Sequence, residues 1–472
     1  MFVGRTKELS FLNDLYDSDK FEFAVIYGRR RVGKTTLIKE FVKDKELVIN
    51  FAAIEYDNQT NLRNLSFEIY KQLDGIESKS VFLDFQSAFE YVFEKSITQR
   101  IVLVLDEYPY MAREEQSLNS VLQRLIDKYQ ETSKLVLLIS GSSMSFIEKE
   151  VLSYKAPLYG RRTGQIKLLP FTFKEASLML DGYSSFDKFL LYGALGGTPL
   201  YLSLVNQKKT AFENIVRLFF NDNSIIFEEP MNILRQELKE PSTYNKIITA
   251  IANGASRQVE IATKAGLSSG ACAVYLKNLI ELGFVFKENP YLDESTKKSL
   301  YALKDNMFKF YYRFVPQYLN IMRVSSFESI PPFMANSISE YLGKAFEGLC
   351  KEYLWQEFYL GNSPLIFKSL GRWWGNDPRS KSQSEIDIVG EADKDNCLFA
   401  ECKWTNETVD EKVLDTLVHR SELFNYQNKY YYLFSKSGFS SGCMEKAKEI
   451  GNVRLVDFEE MMLILAEHNW TQ

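Results

Sequence analysis

The sequence predicts an α/β protein that is divided into several domains. Its 472 residues are too many for a single hydrophobic core. Residues 23–41, FAVIYGRRRVGKTTLIKEF, have the pattern of an apolar strand, a glycine-containing loop and the start of a helix. The short apolar runs at 101–105 and 135–139 are typical of strands buried on both faces of a parallel sheet. We therefore expect a parallel sheet in the N-terminal third.

Composition and charge exclude several classes of protein. Hydrophobic residues make up 45% and charged residues 25% of the chain, which is ordinary for a globular protein. A net charge of −5 argues against bulk electrostatic binding of nucleic acid, although local basic patches remain compatible with it. Five scattered cysteines and two histidines disfavour a structural zinc site and fit a reducing compartment. Without an apolar signal core or a long apolar run, we expect a cytoplasmic protein with no membrane span.

The loop after the first strand has the spacing of a phosphate-binding loop. Gly28, Gly33, Lys34 and Thr35 match G-x-x-x-x-G-K-[ST] in the required context of strand before and helix after. Glycines let backbone N–H groups turn toward phosphate oxygens, and the helix adds its positive N-terminal end. Lys34 is expected to reach the β- and γ-phosphates, and Thr35 to ligate Mg²⁺. A chance glycine-rich turn is the alternative. The predicted nucleotide-binding residues of this loop are Gly28, Arg29, Arg30, Arg31, Val32, Gly33, Lys34, Thr35 and Thr36.

Two further predicted strands end in polar residues that suit hydrolysis. Asp106 follows the apolar run at 101–105 and is expected to hold Mg²⁺ directly or through water. Glu107 is expected to orient and polarise the attacking water. Ser142 follows the next strand and is a candidate γ-phosphate sensor, with a serine that caps the next helix as the alternative.

The order of these segments resembles a known ATPase family. FVGRTKEL, GRRRVGKTTL, LVLDEYPY, LISGSS, LYGRRTGQIKLLPFTF and GALGGTPLYL are similar to the prokaryotic P-loop ATPases related to the STAND and AAA+ groups, often called archaeal-type ATPases. The resemblance implies an ATPase core at 1–170 and a helical lid at 171–237. Pro199, in Gly197-Thr198-Pro199, matches the lid element that contacts nucleotide. Arg161 or Arg162 matches a basic position that stabilises charge on the γ-phosphate, in cis or across a subunit, unless it is only a solvated basic turn.

The region 238–315 predicts a winged helix-turn-helix. Three stretches with helical spacing of apolar residues precede a two-stranded wing. A DNA-binding role would place Ser268, Ser269 and Lys277 in a groove, but the helix has one lysine and no arginine, and phosphate neutralisation needs several cations. In the ATPases that the chain resembles, this module often serves as a packing arm, and we favour that role. Residues 316–337 are predicted to connect it to the last domain.

The C-terminal region 338–472 combines three acidic residues and a lysine on predicted elements of one domain. Glu347 lies at the border of the apolar face of an amphipathic helix. Asp387 lies on a strand of alternating pattern, and Glu401 and Lys403 share one face of the next strand. This order resembles the PD-(D/E)XK nuclease core. The predicted fold class is therefore α/β, with a P-loop ATPase parallel sheet, a helical lid, a winged helix-turn-helix and a C-terminal restriction-endonuclease-like domain.

The nuclease resemblance implies a catalytic site. Glu347, Asp387 and Glu401 would hold Mg²⁺ beside a scissile phosphate, and Lys403 would position a water or stabilise developing charge. The alternative is a partly exposed ion-pair cluster, although such pairs contribute only about 0–1 kcal/mol each. Arg372, Arg379 and Lys381, near two tryptophans in a predicted loop, suit nucleic-acid contact, with a plain surface loop as the alternative.

These features support three functional hypotheses. The main one is an ATPase whose nucleotide state controls a Mg²⁺-dependent nuclease acting on nucleic acid, with DNA favoured over RNA. The second is a STAND-like signalling or assembly switch, which oligomerises with ATP and whose last domain binds a partner without cleaving it. The third is a DNA-binding regulator that works through the winged helix.

Overall fold

The computed structural model describes residues 2–77, 80–293, 298–324, 331–379 and 381–466. No helix in this described part of the chain is long and apolar enough to cross a lipid bilayer.

The chain divides into two compact units. The first consists of Met1–Phe171 together with Thr198–Leu200, and the second consists of Thr172–Gly197 together with Tyr201–Gln472. The short segment Thr198–Leu200 therefore packs with the first unit, although the residues on either side of it belong to the second.

The N-terminal unit is built on a parallel sheet, as predicted. Its described residues form five strands in the order β2-β3-β4-β1-β5, each parallel to its neighbours. The strands are β1 Glu22–Tyr27, β2 Val48–Ala52, β3 Ile101–Asp106, β4 Leu135–Gly141 and β5 Gly164–Lys167. The helices are α1 Thr6–Asp17, α2 Lys34–Val42, α3 Asn58–Asp74, α4 Phe85–Lys95, α5 Pro109–Glu114, α6 Leu118–Tyr129 and α7 Met144–Phe146, which continues into the π-helical turn Ile147–Val151.

Both faces of this sheet are buried, which explains its continuous apolar strands. Along β3, Leu103 and Leu105 pack into a core on one face, whereas Val102 and Val104 pack into a second core on the other. Successive side chains of a strand point to opposite faces, so a strand covered on both sides needs apolar residues at every position. The strand ends then meet at a common carboxyl edge.

The second unit begins with the helical region predicted as a lid. Its helices are α8 Phe173–Met179, α9 Ser185–Leu195, α10 Pro199–Ser203, α11 Ala211–Phe219 and α12 Ile225–Glu237, of which α10 starts in the segment that packs with the first unit. Capping boxes begin two of them. In α11, Thr210 and Glu213 exchange bonds between their side chains and backbone amides, which satisfies N–H groups that lack a partner inside the helix.

A winged helix-turn-helix follows, as predicted. It consists of α13 Pro241–Ala252, α14 Gln258–Ala265 and α15 Ser269–Glu281, and of the antiparallel strands β6 Val285–Glu288 and β7 Leu300–Leu303. The segment predicted as a connection is largely helical. The helix α16 Asn306–Val324 extends into it from one side and α17 Pro331–Tyr359 from the other, while residues 325–330 lie outside the described part.

The C-terminal domain contains a mixed sheet. Five strands of the described residues lie in the order β12-β11-β10-β9-β8, with antiparallel pairing from β8 to β10 and parallel pairing from β10 to β12. The strands are β8 Gly371–Asp377, β9 Ser382–Glu391, β10 Asn396–Lys403, β11 Asn428–Ser435 and β12 Val453–Asp457; the helices that follow β10 are α18 Glu411–Ser421, α19 Ser441–Ile450 and α20 Phe458–Ala466. The interpretation of residues 371–377 as a loop was wrong, because they pair with β9 as an edge strand.

We expect the N-terminal core to be sensitive to cavities. Leu137 is fully buried in the centre of β4, whereas Leu83 is 91% exposed. Leu137→Ala should lower the free energy of unfolding by about 2–5 kcal/mol, because it removes buried methyl groups and leaves a cavity. Leu83→Ala should change it by less than about 0.5 kcal/mol. Denaturant titration of both variants checks this, and equal effects would contradict the assigned burial.

Candidate functional site

The phosphate-binding loop has the backbone geometry that its glycines predict. Gly33 caps α2 with a φ of 94°, a conformation that other residues rarely adopt. A side chain at Gly28 would collide with the backbone carbonyl of Leu168, just after β5. Both glycines are therefore required by conformation or space. The loop joins the carboxyl end of β1 to the N-terminus of α2, where free N–H groups attract anions.

The predicted phosphate-contacting lysine lies inside this loop. Lys34 is only 6% exposed, and its Nζ donates to the carbonyl oxygens of Gly28 at 3.0 Å and Arg29 at 3.1 Å. Pro199 also lies here, with its Cγ 3.9 Å from the position of a Cβ on Gly33. The structure thus places Pro199 beside the phosphate-binding loop, and its expected contact with nucleotide stays a prediction.

Thr35 and Asp106 form a compact pair of oxygen donors. Thr35 Oγ1 donates to Asp106 Oδ2 at 2.9 Å. The other carboxylate oxygen accepts from the Glu107 amide at 3.0 Å and from the Ser140 hydroxyl. Asp106 is 5% exposed, so these bonds offset the cost of burying its charge. A hydroxyl and a carboxylate oxygen side by side fit the hard-ligand preference of Mg²⁺.

Glu107 is held in place by Ser142. Glu107 Oε2 accepts from the Ser142 amide at 3.1 Å and from the Ser142 hydroxyl at 2.9 Å. The backbone of Glu107 has a φ of 51°, an unusual value for a residue other than glycine. Ser142 therefore contacts the predicted catalytic glutamate, and no side-chain bond caps α7. Its predicted contact with the γ-phosphate stays a prediction.

The predicted basic residues do not lie at this edge. Arg161 forms a bidentate pair with Asp127, at 2.7 and 2.8 Å, and Arg162 donates to the Leu152 carbonyl at 3.4 Å. Both precede Thr163, whose amide bonds Phe23 near the start of β1. They therefore lie at the amino edge of the parallel sheet, opposite the phosphate-binding loop. This position disfavours the role in cis. A role across a subunit and a solvated basic turn both stay predictions.

Arg5 supports the loop and was missed as a site residue. It is 6% exposed, it donates to the carbonyl oxygen of Val32 at 3.2 Å, and its guanidinium lies 4.5 Å from the centroid of the Phe171 ring. Val32 belongs to the phosphate-binding loop. The segment FVGRTKEL marked the position by resemblance, but burial of an arginine near the N-terminus could not be read from composition.

In the C-terminal domain, Asp387 and Glu401 lie on neighbouring strands. The antiparallel register pairs Ala400 with Ile388, which places Glu401 opposite Asp387 on the same face. Asp387 Oδ2 accepts from the backbone amide of Cys402 at 2.9 Å. The hairpin predicted from the sequence therefore brings these two carboxylates together.

Cations of the protein compensate this charge. Lys403 Nζ lies 2.7 Å from Glu401 Oε1, and Arg420 on α18 lies 3.4 Å from Glu401 Oε2. Lys344 pairs with Glu347 at 3.1 Å on α17. Arg420 was not predicted, because nothing in the pattern of α18 distinguishes an arginine that faces the sheet from an exposed one.

Burial and mutual repulsion perturb these groups. Burial, with the nearby Asp387 charge, raises the pKa of Glu401 above its usual value in spite of Lys403. Burial also raises the pKa of Glu347, partly offset by Lys344 and reinforced by Asp387. Burial alone would lower the pKa of Lys403, but the attraction of Glu401 and Asp387 outweighs it and raises that pKa. The negative charge of Asp387 therefore raises the pKa of both Glu401 and Glu347.

The predicted three-carboxylate metal site is only partly assembled. Oxygen donors of this kind suit Mg²⁺, but no three His, Cys, Asp or Glu side chains in the described part converge on one ion position. Asp387 and Glu401 are neighbours, whereas Glu347 is turned to Lys344. The donor chemistry fits a metal, and the arrangement of three ligands does not.

The wing of the winged helix contacts the edge strand β8 of the C-terminal sheet. The Tyr291 amide donates to the Arg372 carbonyl at 2.8 Å, and the Tyr291 hydroxyl bonds Ser369. Arg372 bridges Glu385 at 2.6 Å and Glu288 of β6 at 3.9 Å. The arginine that was predicted to contact nucleic acid therefore joins the wing to the C-terminal sheet. This geometry agrees with the packing role expected for the module.

Comparisons with family models describe the same organisation. An ATPase domain found predominantly in Archaea matches residues 2–205, a winged helix-turn-helix DNA-binding model matches 246–285, and a model of archaeal and bacterial proteins of unknown function matches 311–414. Together with the geometry of its loop and strand ends, the match defines the first unit as a P-loop ATPase domain.

The similarity to known proteins also extends over nearly the whole chain. The uncharacterized protein MJECL04 of Methanocaldococcus jannaschii is 32% identical over 466 residues, which cover 98% of this chain and 100% of that protein. The chain therefore belongs to the same family, and it is an ATPase. The uncharacterized ATP-binding protein MJ0423 of the same organism is 49% identical over 47 residues, or 10% of this chain and 80% of that protein.

Solved structures of low identity also align with the chain. A Walker-type ATPase of Pyrococcus abyssi aligns with a TM-score of 0.48 at 16% identity, over 66% of this chain and 96% of that one. A signal transduction ATPase with numerous domains (STAND) from Pyrococcus horikoshii aligns with a TM-score of 0.30 at 15% identity, over 76% and 51% of the two chains. At this degree of similarity neither structure informs the chemistry of the sites.

We expect two substitutions to separate ATP binding from hydrolysis. Lys34→Ala should abolish ATP hydrolysis and weaken nucleotide binding, because it removes the buried ammonium from the loop. Glu107→Gln should reduce kcat about 100-fold or more while nucleotide binding persists, since the amide cannot accept a proton from water. Phosphate release and fluorescent-nucleotide titration measure the two effects.

The matched control is Lys39→Ala, which removes an exposed lysine from the same helix α2. It should leave both measurements unchanged. Normal turnover in Glu107→Gln would reject Glu107 as the residue that activates water.

Proposed function

We propose that the ATPase controls a phosphodiester-hydrolysing C-terminal domain that acts on nucleic acid, with DNA favoured over RNA. The supporting observation is the arrangement of Asp387, Glu401 and Lys403 across β9 and β10. Two carboxylates share one face, and the pKa of Glu401 is raised by burial and by Asp387. Perturbed acids beside a lysine are typical of sites where charge is handled during a reaction.

Each residue has a distinct role in this proposal. Asp387 and Glu401 would hold a Mg²⁺ ion, which when bound supplies Lewis-acid stabilisation of a phosphoryl oxygen. Lys403, which lies 35% exposed at the end of β10, would hold a water or the developing negative charge. Arg420 would orient Glu401 and meet the phosphate backbone.

In this proposal, the described geometry is a closed state of the site. Both oxygens of Glu401 are paired, one with Lys403 and the other with Arg420. For Glu401 to act as a ligand, one of these pairs must open, and Glu347 must release Lys344 to join it. A requirement for such rearrangement suits a nuclease that ATP switches on.

A second candidate is an ATP-driven signalling or assembly switch whose last domain does not cleave. The full pairing of Glu401 favours it, since a buried carboxylate with two cations is already compensated without a metal. This candidate expects ATP-dependent oligomerisation and no cleavage. The wing contact with β8 gives no support to a DNA-binding regulator that uses the wing.

The cleavage experiment compares wild type with Asp387→Asn and Lys403→Met. Purified protein with ATP and Mg²⁺ or Mn²⁺ is incubated with duplex DNA, single-stranded DNA and RNA. Wild type should cleave at least one of them, and each variant should lose cleavage about 100-fold or more, because a ligand or the charge-stabilising cation is gone. ATP hydrolysis should persist in both variants.

The matched control for this experiment is Lys394→Ala in the turn between β9 and β10, whose side chain is 89% exposed. It removes a nearby lysine and should leave cleavage intact. If no substrate is cut by wild type while ATP induces oligomers, the switch without cleavage replaces the nuclease.

A further inference from the structure

Helix α5 lies at the carboxyl edge of the parallel sheet, just after Glu107. The ring of its first residue, Pro109, lies 2.8 Å from the position that a Cβ on Gly141 would occupy, at the last residue of β4. The Tyr108 amide, just before the helix, donates to the Ser140 carbonyl at 2.9 Å. These contacts fix α5 at the ends of β3 and β4. All of these residues belong to the first unit.

One face of α5 contacts both the phosphate-binding loop and the segment that follows β4. Tyr110 and Arg113 are three positions apart, so they lie on the same side of the helix. The Arg30 side chain of the loop donates from Nη2 to the Tyr110 hydroxyl at 3.2 Å. The Arg113 side chain donates from Nη2 to the Ser143 hydroxyl at 2.8 Å. This face of α5 therefore lies between two parts of the nucleotide site.

Arg113 is held next to the glutamate that is predicted to activate water. Its partner Ser143 follows Ser142, whose amide and hydroxyl bond Glu107 Oε2 at 3.1 and 2.9 Å. Arg113 and Glu107 are therefore bound by consecutive serines. A water that attacks the γ-phosphate must lie between the glutamate and the phosphorus, so the guanidinium lies at the edge of the sheet where the γ-phosphate is expected.

The charge of Arg113 is not neutralised by a carboxylate in the part of the chain that the structure describes. Its partners there are the Ser143 hydroxyl and the Phe146 ring, whose centroid lies 5.5 Å from the guanidinium carbon. Arg161, by contrast, forms a bidentate pair with Asp127. A guanidinium has five N–H donors in a planar fork, and the hydroxyl accepts from one of its nitrogens. The exposed Arg113 side chain thus keeps donors and a full positive charge for an anion.

We infer that Arg113 is a catalytic residue of the ATPase and contacts the γ-phosphate of ATP bound to the same chain. It would supply in cis the charge stabilisation for which Arg161 and Arg162 are poorly placed. The inference concerns ATP hydrolysis alone, so it does not depend on the proposed nuclease.

The arginine would act on the charge that hydrolysis creates. The water oxygen bonds the γ-phosphorus as the bond from phosphorus to the β–γ bridging oxygen breaks, which yields ADP and inorganic phosphate. Glu107 takes the proton that the water loses and later releases it to solvent. Negative charge develops on the bridging and γ-phosphate oxygens, and the Arg113 fork donates N–H bonds to it.

The first test separates the γ-phosphate contact from general binding. Arg113→Ala should lower kcat for ATP hydrolysis about 100-fold or more. In the Glu107→Gln background, the same substitution should weaken ATP binding about tenfold or more and leave ADP binding within about twofold, because ADP lacks the γ-phosphate. Arg113→Lys keeps the charge without the planar fork and should recover part of the loss. Unchanged turnover, or an equal loss of ATP and ADP affinity, overturns the inference.

The second test asks whether Arg113 acts only by holding Ser143. Ser143→Ala removes the hydroxyl and leaves the guanidinium, so kcat should stay within about fivefold of wild type. A loss as large as that of Arg113→Ala would show that the arginine serves only to position the serines, and it would overturn the catalytic role. The matched control is Arg124→Ala on α6, an exposed arginine whose side chain also bonds a neutral group, Gln86. It should leave kcat unchanged.

The third test distinguishes action in cis from action across a subunit. Lys34→Ala and Arg113→Ala proteins are mixed, and phosphate release is measured. If Arg113 acts in cis, neither protein can repair the other, and the mixture should show no more activity than the two proteins measured separately. Restored turnover would mean that the Lys34→Ala chain lends its arginine to its neighbour, which overturns the assignment in cis.

Discussion

The buried carboxylate of Asp106 organises the nucleotide site. Because it is almost excluded from solvent, its oxygens need hydrogen-bond donors, and these come from Thr35 of α2, Ser140 of β4 and the amide of Glu107. The hydrogen-bond donors to this one carboxylate come from three separate elements. They reach it only if β3 and β4 pair in the observed register and α2 begins at Lys34. Glu107, held by Ser142, then faces the same edge. The parallel sheet is the scaffold that makes this convergence possible.

The C-terminal sheet solves a similar electrostatic problem differently. Asp387 and Glu401 lie opposite one another on neighbouring strands. Because both are acidic and Glu401 is buried, the charge of Asp387 raises the pKa of Glu401. Here the compensation comes from Lys403 and Arg420 rather than from hydroxyl groups. The oxygens of Asp106 are therefore satisfied by hydroxyl and amide groups, whereas both oxygens of Glu401 are paired with cations of the protein.

In the winged helix, the wing packs on the next domain, whereas Lys277 of α15 is 76% exposed. In a winged helix that reads DNA the wing reaches for the duplex, but here Tyr291 bonds Arg372 and Ser369 of the next domain. The bond from the Tyr291 amide to the Arg372 carbonyl also covers part of the β8 edge, where backbone groups would otherwise lack a partner. Together with the contact between the Phe189 and Trp404 rings, these contacts make the lid, the winged helix and the C-terminal domain one packed unit.

The amino-acid sequence by itself determined the parallel sheet, the phosphate-binding loop and the order of the C-terminal elements. Apolar runs, required glycines and residue spacing are local patterns, and they placed Lys34, Asp106 and Asp387 on the elements they occupy. The tertiary structure alone decided which of these side chains meet. Arg161 pairs with Asp127 because β5 aligns with the start of β1, and Arg420 reaches Glu401 because α18 packs on β10. Such contacts depend on strand order and helix packing between distant segments, and no local pattern encodes them.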